Sequence, residues 1–181
     1  THVLFGTRMS PYATGENTLA KDVLGALDSS MLCLADRGFF GYEMWRQALA
    51  TNAQLLWRMK KNAVLPCDKR LADGSYLSRI YPSEKDKRHQ TNAIQVRVIE
   101  YRLEGVADAE PIYRLATSVM DTQQGPAQEL AALYHERWEI ETALDELKTH
   151  LRGAKIVLRS KTPDLVRQEF YGLLMAHFAV R

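Results

Sequence analysis

The pattern of apolar and polar positions divides the first third of the chain into short strands and helices. Residues 31–35, Met-Leu-Cys-Leu-Ala, form an unbroken apolar run that ends at Asp36. A run without polar alternation is typical of a central strand covered on both faces. The remaining predicted elements are strands over about 2–12 and 54–60 and helices over about 18–27 and 41–51. This order of strands and helices indicates an α/β protein with a parallel or mixed sheet.

The pattern changes between residues 62 and 124, where short segments alternate between apolar and polar side chains. Residues 94–102 and 112–117 alternate in this way, which is typical of half-buried strands. Turn signals that contain Gly, Asp or Pro separate the segments, at 72–75, 103–105 and 124–126. This part of the chain is therefore predicted to be an antiparallel β insertion.

Helical patterns return in the last third of the chain. Pro126 is suited to the first turn of a helix, and a long helix is predicted from there to about Leu151. A second helix is predicted from Pro163 onward, with an apolar face of Leu165, Val166, Phe170, Leu173, Leu174 and Phe178. The chain is thus predicted to have three parts, a core segment at 1–61, the β insertion at 62–125 and core helices at 126–181.

Candidate chemistry concentrates on the long predicted helix, at Tyr134, Arg137, Glu141 and Lys148. At about 100° per residue, these four side chains project from one stripe about 60° wide. Leu133 and the leucines that follow it cluster beside the stripe, which places the stripe at the border of a buried face. On helix geometry alone, the alternative is a solvated face with ion pairs between successive turns.

The spacing Tyr-x2-Arg-x3-Glu-x6-Lys resembles the signature of the insertion-sequence-four family of bacterial DDE transposases, and every spacing matches. Upstream, the segment LADRGFFGYEMW around Asp36 resembles that family's second acidic motif, an apolar strand running into Asp-Arg and then a helix. The resemblance extends over essentially the whole chain. It implies a ribonuclease-H-like core in which an antiparallel β insertion separates the second Asp from Glu141.

The resemblance also implies a DNA transposase catalytic domain in which Asp36 and Glu141 are the catalytic metal ligands. Cutting and joining phosphodiester bonds needs an activated oxygen nucleophile and a neutralised leaving oxygen, and two Mg²⁺ or Mn²⁺ ions supply both. Hard cations of this kind take carboxylate oxygens as ligands, so Asp and Glu are the suitable residue types.

The same resemblance assigns Tyr134, Arg137 and Lys148 to DNA binding near the cleaved strand. The planar guanidinium of Arg137 suits a two-pronged phosphate contact, and the ammonium of Lys148 suits a single backbone oxygen. Trp138 could stack on a nucleotide, but packing against the neighbouring layer is the favoured interpretation. Basic clusters at 58–61 and 85–89 are further candidates for backbone contacts, with a solvated turn as the default for the second.

Composition narrows the function classes only slightly. The 181 residues are 46% hydrophobic and 25% charged, which is ordinary for a globular protein. The net charge of +2 is too small to indicate nucleic-acid binding, so any DNA contact must come from local clustering. Two cysteines without a disulfide framework suit a reducing cytoplasm, and there is no signal peptide. Together with the resemblance, this implies the cytoplasm or nucleoid of a bacterium. No Ser-His-Asp pattern or glycine-rich phosphate loop supports another hydrolase or a nucleotide-binding protein.

The chain begins at Thr1, without an initiator Met, and enters directly into a strand-like segment. The resemblance calls for a first Asp on an opening strand, which we predict to lie upstream, so this chain alone is expected to be inactive. Double-stranded DNA, as element ends and target, is the predicted partner, with a homodimer in the synaptic complex. Two alternatives stay open: a truncated derivative that inhibits by binding DNA or full-length transposase, and a housekeeping nuclease of the same fold.

Overall fold

Helices and strands alternate in the first part of the chain, and strands predominate in its middle. The computed structural model describes residues 6–11, 13–103, 110–138, 141 and 160–180, apart from the side chains at 177, 178 and 180. The described helices are α1 (Glu16–Val23, followed by a 3-10 turn at Leu24–Ala26), α2 (Tyr42–Leu49), α3 (Glu84–His89), α4 (Ala127–His135) and α5 (Pro163–Val180). The described strands are β1 (Leu32–Ala35), β2 (Gln54–Arg58), β3 (Lys69–Arg70), β4 (Tyr76–Ile80), β5 (Ile94–Tyr101) and β6 (Tyr113–Thr117).

The described strands form one sheet, in the order β1-β2-β6-β5-β4-β3. β1 runs parallel to β2, with Leu32 opposite Gln54 and Ala35 opposite Trp57. The other neighbouring strands are antiparallel to each other. The sheet is therefore mixed, as predicted, and the strands within 62–125 continue the sheet that β1 and β2 begin. The three predicted domain boundaries stay predictions.

β1 packs on both faces, as its apolar run predicted, but it does not lie at the centre of the described sheet. Cys33 and Ala35 pack against the core on one face, and Leu32 and Leu34 pack against the core on the other. Since successive side chains of a strand point to opposite faces, a fully apolar run can serve two cores at once. Among the described strands, β1 pairs with β2 alone and stands at one edge.

Two hydrophobic cores cover the two faces of the sheet. The first joins the sheet to α1 and α2, and Trp45 and Trp57 lie at its centre. Their rings are packed edge to face, with 5.0 Å between the ring centroids. α2 also buries Met44 and Ala48, at the helical spacing that predicted its inner face. The second core lies under α4, and its buried members are Leu56, Ile99, Leu115, Ala127, Leu130, Ala131 and Tyr134.

The strand predicted over 2–12 is wrong in its described part. Residues 6–11 contain no strand, and residues 1–5 and 12 lie outside the described chain. Gly6 adopts a left-handed φ of 64°, a conformation that a regular strand does not contain. The local apolar pattern could not reveal this turn, because glycine is compatible with either conformation.

α5 begins at Pro163 as predicted, but its predicted apolar face is only partly correct. Leu174 is buried, whereas Leu165 is 51% exposed. Nine residues advance a helix by about two and a half turns, so these two leucines lie on opposite sides and one layer cannot bury both. The side chain of Phe178 lies outside the described residues. None of the helices in the described ranges is long and apolar enough to cross a membrane.

We expect Leu55→Ala to lower the free energy of unfolding by about 2–5 kcal/mol, because the side chain is fully buried and its loss leaves a cavity. The matched control is Leu165→Ala, at a half-exposed position of α5, which should change that free energy by about 0.5 kcal/mol or less. Urea denaturation followed by circular dichroism measures both. Equal losses in the two variants would contradict the core described above.

Candidate active site

The carboxyl ends of β1 and β2 form one edge of the sheet, which runs across the strands. An acidic and a basic residue lie at this edge. Asp36 directly follows β1, and Arg58 is the last residue of β2. Because the two strands are parallel and Ala35 lies opposite Trp57, the next positions along them, Asp36 and Arg58, reach the same edge. Open α/β sheets bind ligands at this edge. The Asp36 carboxylate accepts a hydrogen bond from the Arg37 backbone N–H at 2.6 Å.

A hydrogen bond from Tyr134 joins helix α4 to this edge. The Tyr134 hydroxyl donates to the backbone carbonyl of Ala35 at 3.1 Å, across 99 positions of sequence. Ala35 is the residue immediately before Asp36, so the helix meets the strand where the acid emerges. The Tyr134 side chain belongs to the second core and is 4% exposed. The residue predicted to lie at the border of a buried face is therefore itself buried.

Electrostatics link Tyr134 to the charged groups around it. Burial raises the pKa of Tyr134 to about 12, the Arg137 charge opposes this rise, and the Asp36 charge adds to it. Asp36 and Arg137 thus both influence one phenol. This agrees with the geometry, since the hydrogen bond to Ala35 places the phenol beside the end of β1.

Arg137 binds the Glu141 carboxylate, with 2.9 Å between Nη1 and Oε1. The Arg137 side chain is 13% exposed and the Glu141 side chain 47%. Burial by itself lowers the pKa of Arg137, but the hydrogen bond to Glu141 and the influence of Tyr134 and Asp36 outweigh burial and raise that pKa. Within the described part of the chain, the buried Nε of Arg137 has no hydrogen-bond partner.

The Arg137 guanidinium also lies near two aromatic rings. Its Cζ is 5.8 Å from the centroid of the Tyr134 ring and 5.2 Å from that of Trp138. Contacts of this kind hold a cation against a ring face. Trp138 is 57% exposed, so about half of its surface is accessible, and its packing against a neighbouring layer stays a prediction.

The single continuous helix predicted from Pro126 to Leu151 is wrong in its described part. α4 ends at His135, and residues 136 and 137 form a turn in which Glu136 N–H and Arg137 N–H donate to carbonyls three residues back. Such bonds wind the backbone by about 120° per residue instead of 100°, so two of them shift the predicted angular positions of Arg137 and Glu141 by about 40° relative to Tyr134. Helical geometry recurs at residues 138 and 141. Lys148 lies outside the described residues.

A second ion-pair cluster lies beside Asp36, and no motif in the sequence predicted it. Glu110 accepts from Arg58 at 2.9 Å and from Arg37 at 3.3 Å. The Arg58 guanidinium also lies 4.7 Å from the centroid of the Tyr113 ring. Arg58 belongs to a basic cluster that the sequence did indicate, whereas Glu110 follows a predicted turn and carries no local signal of its role.

Carboxylate oxygens are the donors that the predicted metal ligands would offer to a cation. Asp36 and Glu141 have the oxygen chemistry that a hard divalent ion prefers, so their donor type fits the predicted Mg²⁺ or Mn²⁺. The described residues contain no group of three or more His, Cys, Asp and Glu side chains placed to hold a metal ion. Two carboxylates fit such an ion in chemistry but fall short of a complete protein ligand set.

The described residues thus form a mixed sheet with Asp36 after β1 and with Tyr134 bonded to the end of that strand. Residues 1–179 match the family model described as "Transposase DDE domain", so the chain belongs to that family. The predicted relation to the insertion-sequence-four family is confirmed by its similarity to "Transposase InsG for insertion sequence element IS4" of Escherichia coli strain K12. The identity is 26% over 185 aligned residues, which cover 99% of this chain and 41% of that relative. DDE transposases generally use divalent metal ions.

We expect the free energy of unfolding to fall between about pH 10 and about pH 12, because the buried Tyr134 keeps its proton in the folded state while the unfolded chain loses it. Tyr134→Phe should reduce that fall, since phenylalanine does not titrate. Urea unfolding at about pH 9 and about pH 11 measures the change.

The matched control for Tyr134→Phe is Tyr171→Phe, at a position that is 47% exposed. The control should show the wild-type dependence on pH. An unreduced fall in the Tyr134→Phe protein would mean that this phenol is not buried against the end of β1.

Proposed function

We propose that the chain is the greater part of a DDE transposase catalytic domain, which cuts the ends of an insertion element and joins them to target DNA. The observation that carries the proposal is the hydrogen bond from Tyr134 to Ala35, which brings the first residue of the Tyr-Arg-Glu-Lys signature beside Asp36. The family match over residues 1–179 gives that arrangement its chemical context. Neither comparison favours the inhibitor or the housekeeping nuclease.

Asp36 and Glu141 are proposed to hold two divalent metal ions, Mg²⁺ or Mn²⁺. Such ions, when bound, provide an activated oxygen nucleophile and neutralise the leaving oxygen of the phosphodiester. The protein's own task is to present carboxylate oxygens at a fixed place. For Glu141 this depends on Arg137, which binds its carboxylate at 2.9 Å, and for Asp36 it depends on the turn that begins at the end of β1.

Arg137, Tyr134 and Lys148 are proposed to contact DNA near the cleaved strand. The observation that supports Arg137 is its buried Nε, which has no hydrogen-bond partner among the described residues. A phosphate oxygen could accept from this donor while Nη1 stays bound to Glu141. Since guanidinium donors match phosphate oxygens in pairs, an arginine suits this position better than a lysine. The Tyr134 hydroxyl donates to Ala35 and the side chain is 4% exposed, so the hydroxyl oxygen is the acceptor that Tyr134 has left for a DNA contact.

The chain spans 41% of the length of the InsG transposase to which it is similar, and the activity of the whole protein is part of the proposal. We propose that an upstream strand supplies the first Asp and that residues 1–181 alone do not cut DNA. A homodimer on double-stranded element ends is the proposed assembly. The experiment therefore uses the protein extended through the upstream segment of its gene.

In the extended protein, we expect Glu141→Gln to abolish metal-dependent nicking and strand transfer while DNA binding persists, because the amide is a far weaker ligand for a hard cation. The assay is a gel of labelled element-end DNA incubated with Mg²⁺ or Mn²⁺. Glu129→Gln, at an exposed position in the first turn of α4, is the matched control and should retain activity. Cleavage that survives Glu141→Gln would refute the assignment.

We expect Arg137→Ala to weaken binding to DNA of any sequence and to reduce the slope of log affinity against log salt by about one unit, as the loss of one phosphate contact predicts. Lys148→Ala should act in the same way. Fluorescence anisotropy over a series of salt concentrations measures both. Arg46→Ala is the control, because Arg46 pairs with Glu43 on α2 at 2.7 Å, a distance similar to that between Arg137 and Glu141. An unchanged slope for Arg137→Ala would argue against a phosphate contact.

A further inference from the structure

Helix α4 begins without a capping side chain of its own. Its N-cap position holds Pro126, with φ −55° and ψ 141°, and no local side chain accepts a hydrogen bond from the first turn. The free N–H groups at a helix start need acceptors, and loss of a cap weakens the helix. The acceptor here comes from far away in sequence: the Asp73 carboxylate, in the turn between β3 and β4, accepts from the Ala127 N–H at 2.9 Å.

Asp73 is held in place by its own turn. One carboxylate oxygen accepts from the Ser75 hydroxyl at 2.6 Å and from the Ser75 N–H at 3.2 Å. Gly74 takes a φ of +84°, which lets the turn close. Partial burial raises the pKa of Asp73, but the hydrogen bonds from Ser75 and Ala127 and the charge of Arg97 outweigh it and leave that pKa below its usual value. The carboxylate is thus ionised where it faces the positive end of the α4 dipole.

Arg97 on β5 joins this turn to the segment that leads into α4. Its side chain is fully buried, and Nη2 donates to the Asp73 carboxylate. Nε donates to the Ser75 hydroxyl at 2.8 Å, while Nη1 donates to the Gly125 carbonyl at 2.7 Å and to the Val119 carbonyl at 3.1 Å. A buried charge is costly unless it is paired and fully hydrogen-bonded. Here all three nitrogens of the guanidinium have a partner. Two of the partners, Val119 and Gly125, lie in the segment that leads into α4.

The segment before α4 has little freedom to move away from this anchor. A Cβ added to Gly125 would lie 2.9 Å from Val119 Cγ1 and 3.1 Å from Leu130 Cδ1. The loop is therefore packed tightly against the first turn of the helix. From Ala127 to Tyr134 the helix rises by only about 10 Å, so its start and its contact with Ala35 are joined by a short, stiff element.

We propose that Asp73 and Arg97 are positioning residues, which fix the start of α4 and thereby hold Tyr134 against Ala35 and the Tyr134–Arg137–Glu141 segment beside Asp36. The expected effect of this positioning on DNA binding rests on the function proposed above. The strands within 62–125 then do more than enlarge the sheet. Their first turn supplies a remote N-cap, and β5 supplies the cation that holds cap and helix together.

Hydrogen exchange of the backbone amides tests the anchor without relying on activity. Asp73→Ala should speed exchange in segment 127–135 by about fivefold, the factor that corresponds to the loss of a typical helix cap. Exchange in β2 serves as the internal reference for global opening. Asp68→Ala is the matched control, because Asp68 pairs with Arg79 at 2.8 Å and makes no contact with α4 in the described structure. The control should leave 127–135 unchanged relative to β2.

Two further variants keep the test decisive. If Asp73→Ala fails to fold, Arg97→Lys keeps the charge but cannot reach Asp73, Gly125 and Val119 together, and it should speed exchange in 127–135 selectively. Adding Pro126→Ser to Asp73→Ala restores a local cap and should recover most of the lost protection. Parallel acceleration in 127–135 and β2, no acceleration at all, or no recovery with Pro126→Ser would each overturn the inference.

Binding of a labelled duplex of arbitrary sequence gives the functional readout. Asp73→Ala should weaken binding severalfold, whereas Asp68→Ala should bind as the wild type does. If the wild type binds DNA and Asp73→Ala binds it equally well, Asp73 is structural only and the positioning role is refuted. If the wild type does not bind DNA, the proposed function fails, and the exchange rates alone decide whether α4 is anchored as described.

Discussion

The hydrogen bond from the Tyr134 hydroxyl to the Ala35 carbonyl is the contact on which the candidate site depends. A single bond of this kind contributes about 0.5–1.5 kcal/mol, so it cannot hold the helix by itself. The helix is held because Leu130 and Ala131 are buried on the same face of α4 as Tyr134. Packing thus provides the stability, and the hydrogen bond fixes the position of Tyr134 beside Asp36.

The charged groups at this edge of the sheet are already paired with one another. Glu110 accepts from both Arg37 and Arg58, and Arg137 binds Glu141. A phosphate that reaches these arginines must compete with carboxylates, so binding exchanges ion pairs as much as it creates them. These three arginines thus lie against acids, in a chain whose net charge is only +2.

Much of the fold was predictable because periodicity is a local property of the chain. The apolar run of β1, the helical spacing of α2 and the alternation of β5 each appear at the predicted positions. The errors have physical causes that local patterns do not contain. Gly6 takes a left-handed φ within a predicted strand, and the turn at 136–137 interrupts a helix whose apolar spacing continues without a break.

The sequence by itself determined the family and the spacing of the candidate site, since Tyr134, Arg137 and Glu141 lie within eight consecutive positions of one segment. Only the tertiary structure decided that Tyr134 is buried against Ala35 and that Asp73 caps α4. These two hydrogen bonds join residues 99 and 54 positions apart. Contacts over such distances depend on how the strands are ordered in the sheet, and no local pattern of side chains specifies that order.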